Sequence, residues 1–402
     1  MTVQELIRSE ERRQKETLAL IPSENYPSAA VQAALGTIFA AKYAEGYPHK
    51  RYYPGNAVAD ELETLAQNQA LRAFSLDRNT WHVNVQPYSG SPANAAIYLG
   101  LLDFGDTLMG LKLSHGGHIT HGLKVGFSGR AYRAVHYEVD PSTGRLNYDA
   151  VAALAQNEKP RIIICGFTAY PPQVDFKKFG EIARKVGALL MADISHIAGL
   201  IAAGAHPSPF EFADVIMTTT HKTLRGPRGA VIFCRKEFSE RIDKAVFPGL
   251  QGGPHLNTIA AMAVAFEEAQ KPSFQKYANE VVDNAAALAK ELIKRGAKLI
   301  SGGTETHLIL MDVKTLGLDG SEAERRLEKA GLVANRNTVP GDDSPFRPSG
   351  IRLGTPAITT RGLTPEQMPQ VAEWIMTAIQ EPGKAKAIAG EVKKLLKKHP
   401  LP

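Results

Sequence analysis

A lysine flanked by cations follows three threonines in the segment MTTTHKTLRGPRG, residues 217–229. Lys222 lies just beyond a predicted strand, at the edge where open α/β sheets bind their ligands. Nearby Arg225 and Arg228 disfavour the ammonium form of Lys222 and lower its pKa. An amine with a lowered pKa is the nucleophile needed to form a Schiff base with an aldehyde. The alternative is an exposed basic loop, since most lysines lie on the surface.

A carboxylate ends a second apolar segment, GALLMAD, at Asp193. It precedes Lys222 by 29 residues, which is about the length of one βαβ unit. A carboxylate in that position can keep the ring nitrogen of pyridoxal phosphate protonated, so that the ring accepts electrons. Alternatively, Asp193 is a turn or helix-cap residue, as strand-ending aspartates often are.

A third segment, YSGSPAN at residues 88–94, connects an apolar strand to a helix. Proline is favoured at the first helical position, so the pattern predicts a helix that begins at Pro92 with Ser91 as its N-cap. The unpaired N–H groups and the helix dipole then form an anion site. Beside a Schiff-base lysine this site would hold a cofactor phosphate; otherwise it is only a capped helix.

Three histidines spaced three residues apart, His115, His118 and His121, are a candidate zinc site. Gly116 and Gly117 disfavour a regular helix there, so we predict a loop that wraps a ligand and no metal. The chain lacks the glycine-rich dinucleotide fingerprint, the P-loop and the G-x-S-x-G elbow. These absences argue against a Rossmann-type dinucleotide site, a P-loop nucleotidase and an α/β-hydrolase.

Strand and helix patterns alternate in the order that produces a mostly parallel sheet covered by helices on both faces. We predict strands near 81–86, 107–111, 161–167, 189–193, 214–219 and 230–234, and helices near 93–102, 149–155 and 176–186. After the loop FPGLQGGP, residues 247–254, come two helices and a smaller α+β unit with strands near 297–301, 308–313 and 350–354. We expect residues 1–270 to form an N-terminal arm and a large domain, and residues 271–402 to form a small C-terminal domain.

The composition is that of a globular protein: 402 residues, 44% hydrophobic, with a net charge of +6. Its only cysteines, Cys165 and Cys234, exclude a disulfide framework and a cysteine-rich zinc module, and they favour a reducing, cytoplasmic location. Thr2 and Glu5 have the spacing of a capping box, which predicts an initial helix in place of a signal peptide. No apolar run is long enough to predict a membrane-spanning helix.

Together these residues are similar to those of a known family. SEN (23–25), KYAEGYP (42–48), KRYY (50–53), SGS (89–91), HGGHITHG (115–122), HIAGL (196–200), THKTLRGPRG (220–229), FPGLQGGP (247–254) and SGIRLGTPAITTRG (349–362) resemble serine hydroxymethyltransferase motifs, in the family's order. The resemblance implies the aspartate-aminotransferase-like fold of fold-type I pyridoxal-phosphate enzymes. It also implies transfer of the serine hydroxymethyl group to tetrahydrofolate by a homodimer with shared active sites, with no nucleic-acid or membrane partner.

The resemblance also implies roles for single residues. Lys222 would hold pyridoxal 5'-phosphate covalently, Asp193 would pair with its ring nitrogen, and His118 would stack on the ring. The other expected cofactor contacts are Ser89, Gly90, Ser91, Thr168, His196, Thr219 and, from the neighbouring subunit, Gln251, Gly252 and Gly253. The expected catalytic set is Lys222, Glu45, His118, Asp193 and His221.

Substrate contacts follow from the same comparison of motifs. Arg352 would bind the substrate carboxylate, as a planar guanidinium suits that anion. Ser23, His196 and, from the other subunit, Tyr43, Glu45 and Tyr53 would flank the rest of serine. Glu45, Tyr52, Leu113, Gly117 and Asn337 would contact folate.

The chain departs from the family's usual residues at Ala41, His49, Pro54, Tyr88 and Pro92. None of these positions has a bond-breaking role, so the departures bear on folate affinity and side activities. Two alternatives stay open at the level of sequence. One is a folate-independent aldolase for threonine-like or α-methyl amino acids, and the other is a silent, RNA-associated scaffold.

Overall fold

A computed structural model describes residues 1–342 and 347–402. Its α-helices are α1 (Val3–Glu16), α2 (Ala29–Leu35), α3 (Ala57–Ala73), α4 (Gly90–Leu101), α5 (Phe127–Ala131), α6 (Tyr148–Glu158), α7 (Phe176–Val186), α8 (Ala198–Ala202), α9 (Ser239–Lys244), α10 (Leu256–Ala269), α11 (Pro272–Lys294), α12 (Gly320–Lys329), α13 (Pro356–Thr360), α14 (Met368–Gln380) and α15 (Ala385–Leu396). In the described part of the chain, none of them combines the length and apolarity that crossing a bilayer requires.

The strands are short, with between two and six residues each. They are β1 (Leu18–Ala19), β2 (Gly46–Tyr47), β3 (Lys50–Arg51), β4 (Trp81–Asn84), β5 (Thr107–Leu111), β6 (Arg133–Tyr137), β7 (Ile162–Cys165), β8 (Leu189–Asp193), β9 (Val215–Thr219), β10 (Ala230–Arg235), β11 (Lys298–Leu299), β12 (Leu308–Asp312), β13 (Leu332–Val333), β14 (Asn335–Asn337) and β15 (Gly350–Gly354). Seven of them form the central sheet, in the order β4-β10-β9-β8-β7-β5-β6.

The central sheet confirms the predicted fold class. Strands β5 to β9 pair in parallel, and only β10 is antiparallel to its two neighbours. All six strands predicted for this sheet are present within about two residues of their expected bounds. Strand β6 was not predicted, because it lies at the sheet edge and is mostly half-exposed, and it therefore lacks the apolar run of a fully buried parallel strand.

The start of α4 differs from the sequence prediction. The helix begins at Gly90 with Ser89 as its N-cap, so the expectation that Ser91 caps a helix starting at Pro92 is wrong. Pro92 occupies the third helical position instead. Proline is accommodated there because N–H groups of the first helical turn have no intrahelical acceptor to lose.

Two large hydrophobic cores lie on either side of α11. Phe274 and Val281, in its first half, pack in the core of the seven-stranded sheet, whereas Leu288 and Leu292 pack in that of the four-stranded sheet β11-β12-β15-β14. Leu18 also packs in the second core, because β1 pairs in parallel with β13. We propose a domain boundary between residues 270 and 271, with α11 connecting the two units and the N-terminal arm reaching across to the smaller one.

Candidate active site

A cavity of about 410 Å³ opens at the carboxyl edge of the central sheet. Parallel strands place their carboxyl ends on one edge, so the segments after β4, β7, β8 and β9 meet there. Twelve of the residues expected from sequence line the cavity: Ser23, Ser89, Gly90, Ser91, His118, Thr168, Asp193, His196, Thr219, His221, Lys222 and Arg352. The fold therefore brings together residues separated by more than three hundred positions in the chain.

Lys222 lies three residues beyond the end of β9. Its backbone carbonyl accepts a hydrogen bond of 2.9 Å from the side-chain amide of Asn25. Burial lowers the pKa of Lys222 to about 8, and this effect is opposed by Asp193 and reinforced by Arg352 and Arg228. The nucleophilic, unprotonated amine is therefore far more abundant near neutral pH than in an ordinary lysine.

The cations around Lys222 are only partly those expected from the sequence. Arg228 does contribute to the lowered pKa of the lysine, but Arg225 does not. The guanidinium of Arg225 lies over the ring of Tyr277 at 4.0 Å, in a cation–π contact. The expectation that both arginines lower the pKa of Lys222 is therefore wrong, because the guanidinium of Arg225 packs on the ring of Tyr277 instead.

Asp193, the last residue of β8, is buried and held by three donors. Its Oδ2 atom lies 3.2 Å from Nε2 of His121 and 3.1 Å from Nδ2 of Asn94, and its Oδ1 atom accepts from the backbone of Ser195. Burial by itself raises the pKa of Asp193. The hydrogen bond from His121, together with the positive charge of Lys222, outweighs that effect, and the pKa of Asp193 falls well below its usual value. The carboxylate is thus kept negative.

The beginning of α4 and the end of β9 fit a phosphate group. Ser89 makes no side-chain capping bond, which leaves its hydroxyl and the N–H groups of Gly90 and Ser91 able to bind an anion. A Cβ atom at Gly90 would lie 2.8 Å from Thr219, so only glycine allows this close approach. The hydroxyl of Thr219 is buried without a hydrogen-bond partner among the described residues. With Lys222 and Asp193 nearby, the set suits pyridoxal phosphate.

Three histidines that line the cavity, His118, His196 and His221, are in their neutral forms. Burial is the main cause for each of them: it lowers the pKa of His118 to about 4 and that of His221 to about 3, and it lowers the pKa of His196 strongly. His115 lies apart from them, 3.7 Å from Glu138. The three histidines of the loop therefore have different partners: a hydroxyl for His118, a surface carboxylate for His115 and Asp193 for His121.

Arg352 reaches the cavity from β15, in the smaller sheet. Its Nη1 atom donates to the carbonyl oxygen of Thr168 at 2.5 Å, and its Nε atom donates to Oδ1 of Asn335 at 3.2 Å. Burial lowers the pKa of Arg352 to about 10, so the guanidinium is still charged at neutral pH. The group is held in place and can bind a carboxylate.

A second group of expected residues lies together but does not line the cavity. Tyr43 and Tyr53 make an edge-to-face contact with centroids 5.2 Å apart, and their exposed fractions are 58% and 45%. Glu45 lies beside Gly252, and Tyr43 lies beside Gly253. These are residues that the family resemblance assigns to the neighbouring subunit, and here they form one exposed surface, which we call the tyrosine surface.

A buried ion-pair network supports the tyrosine surface. Arg51, in β3, pairs with Asp60 at 2.8 Å and with Glu63 at 2.6 Å, and it donates to the carbonyl oxygens of Ala44 and Gly46. Removing one partner of such a network would leave a buried charge uncompensated. The segment that carries Glu45 is therefore fixed to α3.

The remaining expected residues do not line the cavity. Gln251 uses its side chain within its own chain, where it donates to Gln86 and accepts from the backbone of Tyr88. Gly117 accepts a hydrogen bond from Thr168, and Asn337 donates to Thr338. Two further residues were expected to contact folate. Leu113 begins a short 3₁₀ helix, and Tyr52, which is 73% exposed, lies on the tyrosine surface.

Several polar residues that line or support the cavity were not predicted from the sequence, among them Glu24, His121, Asn94 and Asn335. Glu24 lines it and is the middle residue of the SEN motif, so its neighbour Ser23 was a signal. His121 was noticed only as a metal candidate. Asn94 and Asn335 left no signal, because an isolated asparagine in a helix or strand predicts no particular contact.

Comparison with known proteins is consistent with this site. A profile of the family described as serine hydroxymethyltransferase matches residues 1–375. The chain is 53% identical to a serine hydroxymethyltransferase of Acidothermus cellulolyticus, covering all of this chain and 95% of that protein. It is 50% identical to one of Sorangium cellulosum, with the same coverage. A relative from Acidobacterium capsulatum is 51% identical over 97% of this chain and 91% of its own.

Proposed function

The chain belongs to the serine hydroxymethyltransferase family, and from that premise we propose how its own residues perform the family's reaction. The enzyme uses pyridoxal phosphate and moves the hydroxymethyl group of serine reversibly to tetrahydrofolate, giving glycine and 5,10-methylenetetrahydrofolate. The observation that supports our assignment of roles is the convergence of Lys222, Asp193 and Arg352 on one cavity.

Lys222 holds the cofactor through its Nζ atom, and the first turn of α4 binds the phosphate through Ser89, Gly90 and Ser91. When bound, the cofactor would supply an electron sink for a bond broken at the substrate Cα. Asp193 stays ionised and keeps a proton on the ring nitrogen. His121 and Asn94 hold the carboxylate in the position required for that role.

Arg352 selects which bond breaks. By binding the substrate carboxylate, this guanidinium would fix the rotation of the amino acid and so decide which bond to Cα is presented to the cofactor. Neutral His118 would contact the cofactor ring, and neutral His221 immediately precedes the lysine. Thr168, Thr219 and His196 contact the remaining polar atoms of the cofactor and the substrate.

Glu45 moves a proton at the serine hydroxyl or during condensation with folate. It belongs to the tyrosine surface, so we propose a homodimer in which each subunit lends Tyr43, Glu45 and Tyr53, with Gln251, Gly252 and Gly253, to the other. Exposure of the tyrosines and their separation from their own cavity support this arrangement. Tyr52, Leu113, Gly117 and Asn337 contact folate. We place the enzyme in the cytoplasm, in keeping with its two buried, unpaired cysteines.

A chemical trap tests the assignment of Lys222. Borohydride reduction of the purified protein, followed by digestion and mass spectrometry, should locate a pyridoxyl adduct on the peptide that contains Lys222. An adduct on another peptide, or none, would refute the assignment.

Turnover separates the transferase from the aldolase alternative. Serine cleavage should depend strongly on added tetrahydrofolate. An equal rate without folate, together with rapid cleavage of threonine-like substrates, would favour the aldolase.

A further inference from the structure

A second imidazole lies behind His196, on the side away from the cavity. His307 immediately precedes β12 of the smaller sheet and is fully buried. Its Nε2 atom lies 3.2 Å from Nδ1 of His196, and the two rings are stacked with centroids 5.4 Å apart. His307 does not line the cavity, so any effect it has on a ligand acts through His196.

The two rings share one hydrogen bond, which can have either of two directions. Burial, together with the charges of Lys222 and Arg352, lowers the pKa of both imidazoles, and both rings are neutral. A neutral imidazole carries one N–H and one acceptor nitrogen. Either His196 donates from Nδ1, or His307 donates from Nε2. The direction decides whether Nε2, the other ring nitrogen of His196, carries a proton.

The surroundings of His307 favour the second direction. Its Nδ1 atom is buried and has no hydrogen-bond partner among the described residues. If His196 donated, the proton of His307 would have to lie on this Nδ1, as a buried N–H without an acceptor, which is rare in proteins. If His307 donates from Nε2, that unpaired N–H does not arise. Nδ1 of His196 then accepts, and its proton lies on Nε2.

We infer that His307 is a positioning residue that holds His196 in the tautomer protonated at Nε2, so that His196 donates an N–H to an anionic oxygen bound in the cavity. Nε2 of His196 has no partner within the described part of the chain, and the ring lines the cavity. The identity of the acceptor rests on the proposed function. It is an oxygen of the substrate carboxylate or of the cofactor, and both have the same hydrogen-bonding chemistry.

The tautomer can be read directly by NMR. The purified full-length protein is labelled with ¹⁵N at histidine only, and signals are assigned by their loss in His196→Gln and His307→Gln. His196 should show a protonated Nε2 and an unprotonated Nδ1, and His307→Phe should remove this preference. A proton on Nδ1 of His196 in the wild type overturns the inference, whatever the result for His307→Phe. The reading needs no turnover, so it is independent of whether Lys222 forms an adduct.

Ligand binding supplies the second measurement. His307→Phe should weaken binding of serine or of pyridoxal phosphate about tenfold, as expected for one charge-assisted hydrogen bond. His307→Gln, which keeps a donor, should restore most of the loss. A selective rise in the KM for serine identifies the substrate carboxylate as the acceptor, and a selective loss of cofactor affinity identifies the cofactor oxygen.

His206→Phe is the matched control, because it removes another buried imidazole, one that contacts Pro207 and Phe176 outside the cavity. It should leave the tautomer of His196 and both affinities unchanged. Unchanged binding in His307→Phe, or equal losses in His307→Phe and His206→Phe, would overturn the inference.

Discussion

The Nε2 atom of His121 lies 3.2 Å from Oδ2 of Asp193, and both side chains are buried. Asp193 thus remains an anion in surroundings that would otherwise favour its neutral form, because this hydrogen bond and nearby positive charge exceed the cost of burial. The sequence shows both residues but not their contact, since 72 positions separate them.

Replacement of His121 should therefore alter the acid limb of the activity profile. In His121→Phe, burial acts on Asp193 without the opposing hydrogen bond, so the pKa of the carboxyl rises. We expect kcat to fall about tenfold or more and the acid limb to move to higher pH. Measurement of kcat between pH 5 and 9 tests this. His115→Phe, in the same loop but beside Glu138, is the control and should keep the wild-type profile; a profile unchanged in His121→Phe contradicts the prediction.

Capture of the cofactor should titrate with Lys222. The pKa of this amine is about 8 and not its usual 10.5, and only the unprotonated amine is nucleophilic. The rate at which the cofactor-free enzyme takes up pyridoxal phosphate should rise with pH and level off above pH 8, as followed by the visible absorbance of the adduct.

Two arginine variants sharpen that measurement. Arg228→Gln removes a positive charge that lowers the lysine pKa, so its midpoint should move to higher pH. Arg225→Gln should leave the midpoint in place, because that guanidinium stacks on Tyr277. Equal shifts in the two variants would contradict our account of the lysine's surroundings.

The substrate carboxylate should require a guanidinium at position 352. Arg352→Lys keeps the positive charge but loses the planar pair of donors, and we expect the KM for serine to rise about tenfold or more. Arg336→Lys, on the adjacent strand and paired with Glu324, is the matched control and should have little effect. Steady-state kinetics and glycine binding measure both; similar KM values in the two variants would rule out the assigned role.

Mixed dimers should recover activity if subunits share sites. Lys222→Ala and Glu45→Gln chains, each inactive alone, should form heterodimers with one intact site and one doubly defective site. Random mixing then restores about a quarter of wild-type activity, since half of the dimers are mixed and each has one working site. Lys222→Ala mixed with Arg352→Ala should restore none, because both residues line the cavity of a single chain. Absence of rescue in the first mixture would indicate self-contained subunits.

Much of the fold could be read from the sequence because buried parallel strands are continuous apolar runs. The predictions for 107–111 and 189–193 match β5 and β8, two such parallel strands, residue for residue. The prediction for 350–354 matches β15, an antiparallel strand of the smaller sheet, equally well. Edge strands such as β6 and short pairings such as β1 with β13 escaped notice, because half-exposed or two-residue strands carry no such pattern.

Site residues could be predicted from the sequence where the chemistry of the reaction requires one residue type. Residues whose role depends only on a contact with another side chain were harder to predict. Lys222, Asp193 and Arg352 have side chains that few other residues could replace. By contrast, His121 and His307 act through a neighbour, and the identity of that neighbour depends on the folded chain. The stacking of Arg225 on Tyr277 was hidden for the same reason, since 52 positions separate them.

Arg352 belongs to the small sheet, yet it donates to Thr168, which follows β7 of the large sheet. The same guanidinium thus ties the two halves of the molecule together and offers its other donors to an incoming carboxylate. The guanidinium of Arg352 thus serves both to bind the substrate carboxylate and to connect the two sheets. A change that weakens its contact with Thr168 should therefore also weaken binding of the amino acid. Selectivity among amino acids in this enzyme thereby depends on how firmly the two sheets are held together at this contact.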